Sequence, residues 1–158
     1  MEPRRATPDD TEALTAFLAR VDLTLSGLDS PDVRLWIQRD GTGAVRGCTG
    51  YEMSADRRHT LIRSVAVDPE RRSAGRGAAL ARFAFDRAAE EGARTAWLFS
   101  RRSGPFWQGL GFAEADRREL ARVLRGTHQV RLFRSTGRLD GEVAWSRSLE
   151  PSTASGRR

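Results

Sequence analysis

The sequence predicts a single α/β (α+β) domain: a mixed, mostly antiparallel sheet of about six to seven strands flanked by helices. Three observations carry this. Early apolar stretches are joined by short turns of hairpin type. A strand–loop–helix–strand crossover follows in the middle of the chain. The 158 residues show no repeat and no linker, and suffice for one core. Residues 1–149 form the expected domain. Residues 150–158, which carry no large apolar side chain, form an expected disordered tail.

Taken in order, Glu2 to Ala6 reads as a first strand. A helix should follow with Thr7 as N-cap, Pro8 at its first position and Asp9 and Asp10 in its first turn. Leu14, Phe17, Leu18 and Val21 fall at helical spacing and supply its apolar stripe. Val33 to Arg39 and Ala44 to Met53 read as two strands, joined by the hairpin signal Asp40-Gly41-Thr42-Gly43. Thr60 to Val67 is the next strand, and Asp68-Pro69 ends it because proline cannot continue a ladder. A helix then runs from the glycines Gly75 and Gly77 to about Glu91, stopped by Gly92. Arg94 to Ser100 is a short apolar strand of the buried type. A short helix from Pro105, a strand from Phe112, a helix over "RRELARVLRG" and a last strand over Gly141 to Leu149 complete the chain.

Composition excludes several function classes. No apolar run approaches the roughly 20 residues of a membrane span. Met1 to Asp10 are charged and polar, unlike a secretory signal, so a cytoplasmic protein is expected. One cysteine, Cys48, excludes an internal disulfide, and two histidines, His59 and His128, argue against a metal site. The net charge is +6, and all 27 basic residues are arginine. Acidic residues are interleaved with them, so nucleic acid is disfavoured as a partner, and clustered arginines point to small anionic ligands.

The chemistry concentrates in "VAVDPERRSAGRGAAL". A strand ends, a loop follows and a helix opens at two glycines. The first turn of a helix presents unpaired N–H groups and the positive end of its dipole, and anions bind such ends. Gly75 and Gly77 have no Cβ, so a phosphate could approach the backbone, and Arg72 and Arg76 add charge. The segment is neither a Walker A loop nor the dinucleotide fingerprint: no Gly-Lys-Ser/Thr follows, and Leu80 stands where a third glycine is needed.

Arg72-Ser73-Ala74-Gly75-Arg76-Gly77 resembles motif A of the GNAT acyltransferase superfamily, Arg/Gln-x-x-Gly-x-Gly/Ala. "SVAVDPERR" is similar to that family's fourth strand and its exit, "FWQGLGF" to its later Phe-Tyr-x-x-x-Gly-Phe element, and "RRATPDDTEAL" to its first strand and helix. More loosely, "LIRSVAVDP" and "GFAEADRRELARVL" resemble a subgroup of arsenic-operon-linked and amino-acid N-acetyltransferases, although the ending from His128 lacks that subgroup's Cys-Pro element.

The resemblance implies acetyl-CoA as cosubstrate, no metal, and direct attack of a primary amine on the thioester. It implies that the backbone amides of Ser73, Ala74, Gly75, Arg76, Gly77 and Ala78 hold the pyrophosphate, with Arg72 and Arg76 nearby. Val65, Ala66 and Val67 would hydrogen-bond the pantetheine like an added strand, and an amide at a strand bulge near Val65 would polarise the thioester carbonyl. The family's acid and base are not plainly supplied. Trp107 stands where many relatives have tyrosine, the only tyrosine is Tyr51, and the fourth strand has no carboxylate. The candidate catalytic residues are Glu52, Ser64 and Ser103, with His59 weighed as a base and read as a turn histidine. Arg63, mid-strand among apolar neighbours, is read two ways: as a carboxylate-binding residue of the acceptor cleft, or as the partner of Glu52 in a structural ion pair. The expected function is N-acetylation of a small, carboxylate-bearing amine. The alternatives are acetylation of a protein N-terminus or lysine, and acyl-CoA binding without catalysis. A homodimer is left open.

Overall fold

The computed structural model of the chain describes residues 2–21, 23–71 and 75–150. Seven strands form one sheet in the order β1-β2-β3-β4-β5-β7-β6. They are β1 (Arg4–Arg5), β2 (Arg34–Arg39), β3 (Val45–Met53), β4 (His59–Val67), β5 (Thr95–Phe99), β6 (Ala113–Ala115) and β7 (Ala144–Ser148). Every pairing is antiparallel except β4 with β5. Five helices accompany them: α1 (Thr11–Arg20), α2 (Arg76–Glu90), α3 (Gly104–Gly109), α4 (Arg117–Val123) and α5 (His128–Thr136).

Local chemistry accounts for most boundaries. Asp10 accepts hydrogen bonds from the Thr7 amide and hydroxyl (2.8 and 3.2 Å). The first turn, Pro8–Asp10, is 3₁₀, and the α-helix proper starts at Thr11, later than the proline signal suggests. In the β2–β3 hairpin, Asp40 accepts from the Thr42 amide and Gly43 takes a φ of +88°. α2 ends before Gly92, which has a φ of +111°.

Alternation along the strands divides the core. Tyr51, Ile62, Ala96, Leu98 and Trp145 pack on one face with α2 and with Trp107 of α3. On the other face α1 covers Leu35, Ile37 and Cys48 with Leu14, Phe17 and Leu18, and α4 and α5 cover Leu61, Trp97 and Ala144 with Leu120 and Val130. Each fully buried leucine, isoleucine, valine or phenylalanine among them contributes about 1.5–3 kcal/mol. The second face is thus covered in two halves, and the seam between them lies over the middle of the sheet.

Two irregularities open that seam. Between Cys48 and Gly50 the β3–β4 register shifts, so that Ser64 and Val65 oppose Thr49 alone. Ser64 takes a φ of +60°, a left-handed conformation uncommon for a non-glycine residue, and its carbonyl accepts a hydrogen bond from Cys48 Sγ at 2.9 Å. In addition, β4 and β5 pair only at His59↔Thr95, Thr60↔Ala96 and Leu61↔Trp97. Beyond Leu61 the two strands part.

Helix α5 was not foreseen from sequence. Its signals are present: the Thr127 side chain caps the Val130 amide, Val130 and Phe133 form a short apolar stripe, and Gly137 with φ +76° ends it. Arginines at 131 and 134 mask the stripe. The expected anion-binding residues Arg72, Ser73 and Ala74 lie outside the described residues, as do 151–158 of the expected tail.

Candidate active-site cleft

A cleft of about 1060 Å³ fills the opening between β4 and β5. It is large enough for a long cosubstrate and a small acceptor together. Its floor is β4 from Ile62 to Val67. One end meets the start of α2 at Gly75, Gly77 and Ala78, and the loop after β5 brings Ser103 to the wall. Arg63, Ser64, Val65, Ala66, Val67, Gly75, Gly77, Ala78 and Ser103 therefore meet in one cavity. Arg76 opens α2 but does not line the cleft.

The backbone explains why this wall is available. Gly75, at φ +88°, turns the chain into α2, and nothing would meet a Cβ there. At Gly77 a Cβ would sit 3.5 Å from the Phe106 ring, in ordinary contact, so a side chain longer than a methyl would reach into the space between the helix end and Phe106. Thr49 Oγ1 donates to the Leu80 carbonyl at 2.8 Å and pins the first turns of α2 to β3. The Ser64 bulge turns the strand edge toward the cleft just where β5 departs.

Glu52 does not face the cleft. Its carboxylate accepts from Arg63 Nη1 at 2.9 Å and from the His128 and Gln129 amides at 2.7 and 3.3 Å. It is 2% exposed. It thus holds the N-terminus of α5 to the sheet, where helix dipole and orphan amides favour a negative charge. With its oxygens engaged in this way it serves as a structural anchor, and the geometry does not bring it to a reacting group as a base.

Arg63 shows the ion-pair alternative. Its buried guanidinium donates to Glu52, to Ser64 Oγ (3.3 Å) and to the Thr24 carbonyl (3.4 Å). Burial pulls its pKa below the usual arginine range, and the Glu52 charge opposes that. It reaches the wall of the cleft while committed to protein partners.

Other proton carriers lie elsewhere. Tyr51 is 1% exposed, on the α2 face, and its hydroxyl donates to Glu91. Burial first, and the Glu91 carboxylate second, push its pKa up. His59 sits at the far end of β4, where its Nδ1 accepts from Trp97 Nε1 at 3.0 Å. Trp107 is buried at the cleft wall, edge-on to Phe106 and Phe112 at 4.9 and 5.5 Å. Cys48 is fully buried, and its pKa is pushed up to about 12 by burial, so it is no nucleophile. Ser103 is exposed at the mouth.

Sequence reasoning missed the other half of the cleft. Leu23, Thr24 and Leu25 follow α1, and Gln129, Leu132 and Arg138 come from α5 and the turn after it. Leu23, Leu25 and Phe106 are the exposed large hydrophobics among the described residues, and all three line this one cavity. Arg101, Arg102 and Arg138 line it too, with a single carboxylate, Glu142. Arg101 Nε and Arg138 Nη2 share Glu142 Oε2 at 3.5 and 3.2 Å, each about half exposed. The cleft is therefore positive. Only the bias toward arginine hinted at this, and it did not say which arginines converge. Among the described residues no group of His, Cys, Asp and Glu could hold a metal ion, and no helix is long and apolar enough to cross a membrane.

Residues 4–112, more than half of the chain, match the acetyltransferase (GNAT) family. No curated protein matches the chain in sequence. Among solved structures it is similar to N-acetylglutamate synthase from Neisseria gonorrhoeae complexed with coenzyme A and N-acetyl-glutamate. The TM-score there is 0.75 at 20% identity, over 95% of this chain and 35% of that one, so the chain spans about a third of that enzyme's length. A GNAT-family acetyltransferase from Staphylococcus aureus matches at TM-score 0.71 and 13% identity, over 94% and 99% of the two chains. An aminoglycoside 6′-N-acetyltransferase complexed with coenzyme A matches at 0.68 and 12%, over 96% and 99%. At these identities the likeness is one of fold.

Proposed function

This chain belongs to the acetyltransferase (GNAT) family, and on that premise we propose that it transfers acetyl directly from acetyl-CoA to the primary amine of a small, carboxylate-bearing acceptor. The observation that carries the reading is the cleft itself. A bulged β4 edge parts from β5 and ends beside a helix N-terminus opened by glycines. In this reading the amides from Arg72, Ser73 and Ala74 through Gly75, Arg76, Gly77 and Ala78 hold the pyrophosphate. Val65, Ala66 and Val67 pair with the pantetheine, and the amide at the Ser64–Val65 bulge faces the thioester oxygen. Acetyl-CoA supplies the activated acyl group. The amine lone pair attacks the carbonyl, a C–N bond forms, the C–S bond breaks, and the amine's proton ends on the departing thiolate.

The positive cleft offsets the missing acid and base. Arg101 and Arg138 share the one carboxylate of Glu142. Like charge disfavours an ammonium, so an acceptor loses its proton more readily there, and the same charge favours the thiolate as leaving group. Proton transfer can then run through water, with Ser103 as a hydrogen-bonding group at the mouth. Arg101 and Arg138, rather than Arg63, are the cations that would meet the acceptor's carboxylate. An amino-acid acceptor also fits the looser resemblance to amino-acid and arsenic-operon-linked N-acetyltransferases.

Thiol release from acetyl-CoA, measured against amino acids, polyamines, amino-acid-analogue antibiotics and short peptides, tests the reading. Turnover is expected with amino acids or their analogues, with polyamines poor because the cleft repels them. Ser103→Ala should retain turnover to within about tenfold. A preference for polyamines would sink the acceptor class. Turnover with peptides alone would favour a protein acetyltransferase, and binding of CoA without any turnover would favour a sensor.

A further inference from the structure

Gln129 is the second residue of α5 and is 8% exposed. Its Nε2 donates to Thr24 Oγ1 at 3.1 Å, and its amide N–H is taken by Glu52. Its Oε1 has no partner although it is buried. An orphaned buried acceptor is costly, and such groups are few in folded proteins. Gln129 is one of the residues that line the cleft. Thr24 ties it to the bulge: the Thr24 hydroxyl accepts from Gln129, and the Thr24 carbonyl accepts from Arg63, the neighbour of Ser64. Glu52 and Arg63 fix the backbone on both sides, so the carboxamide is held in place rather than free to swing.

We infer that Gln129 Oε1 accepts an N–H of the incoming amine and aims its lone pair at the thioester carbonyl beside the β4 bulge. The inference rests on the acetyltransferase reading. A neutral oxygen is well matched to this role, because it binds an N–H but adds no negative charge that would keep the amine protonated. The charged or titratable groups around it are Arg63 on β4, Glu52 on β3, His128 on α5, and the cluster Arg101, Arg102, Arg138 and Glu142 across the cleft. Glu52 is paired with Arg63 and α5, which leaves the surroundings positive or neutral toward the amine.

Two variants test it, with the fastest amino acid of the panel as the probe. Gln129→Met keeps length and helix propensity but removes the acceptor. Loss of one hydrogen bond should raise the amine KM about tenfold, with the KM for acetyl-CoA and the thermal midpoint unchanged. Gln129→Glu adds a charge that favours the ammonium of the bound amine, so the acid limb of the kcat profile should move to higher pH. An amine KM and a pH profile at wild-type values in both variants overturn the inference, since the oxygen is then merely hydrated. An equal rise in the acetyl-CoA KM overturns it too, because the side chain would then be a wall of the cofactor half. Failure of wild type to acetylate any amine removes the acetyltransferase reading and this inference together. Normal wild-type turnover with indifferent variants removes only the inference.

Discussion

Arg63→Met should lower the thermal midpoint by roughly 6–20 °C. Removing one partner of a buried ion pair costs about 3–5 kcal/mol, and each kcal/mol is worth about 2–4 °C in a chain of this size. The Arg63 side chain is 0% exposed and that of Glu52 3%, so the abandoned carboxylate cannot recover its loss from water. Two α5 amides still hold it, which sets the low end of the range. The double variant Arg63→Met with Glu52→Gln should recover part of the loss, because no unpaired charge is left inside. Thermal unfolding of the three variants reads this directly. A single variant with a wild-type midpoint would mean that the pair does not join α5 to the sheet.

Gly77→Leu should weaken CoA binding by roughly 10- to 100-fold without unfolding the chain. The position is helical, and leucine is a better helix former than glycine by about 0.5–1 kcal/mol. A Cβ there already touches the Phe106 ring, so the rest of a leucine side chain must fill the space between α2 and Phe106. Overfilling of this kind costs about 1–3 kcal/mol, which corresponds to roughly 10- to 100-fold in affinity. A competition assay with labelled CoA, run beside a melting curve, separates the two effects. Unchanged CoA affinity in a stable Gly77→Leu chain would move the cofactor away from the start of α2.

Much of the sheet was legible because its signals are local. The Asp40–Gly43 hairpin, the Asp68-Pro69 stop and the Gly92 helix end each follow from the backbone demands of one or two residues. The half of the cleft proposed for the cofactor is drawn from one stretch of sequence: β4, its exit and the glycines of α2 are contiguous. The half proposed for the acceptor is not. It is assembled from the segment after α1, the loop after β5 and the turn after α5, and no periodicity links Thr24, Arg101, Gln129 and Arg138. Helix α5 escaped notice because its buried face is Gln129, Val130 and Phe133 only, and its position depends on Glu52, 76 residues upstream of His128. The same distance explains why Glu52 looked like a strand-end carboxylate open to catalysis. The Arg63 pairing is one of the sequence readings, but the α5 amides that complete the role of Glu52 are partners that sequence spacing does not reveal.

Calorimetric titration of the whole chain with CoA tests the central claim most directly, since it asks whether the parted β4–β5 edge and the start of α2 form a CoA site, whatever the acceptor. The expected result is one saturable site per chain, competed by acetyl-CoA. A folded chain that gives no saturable heat with CoA would contradict the account.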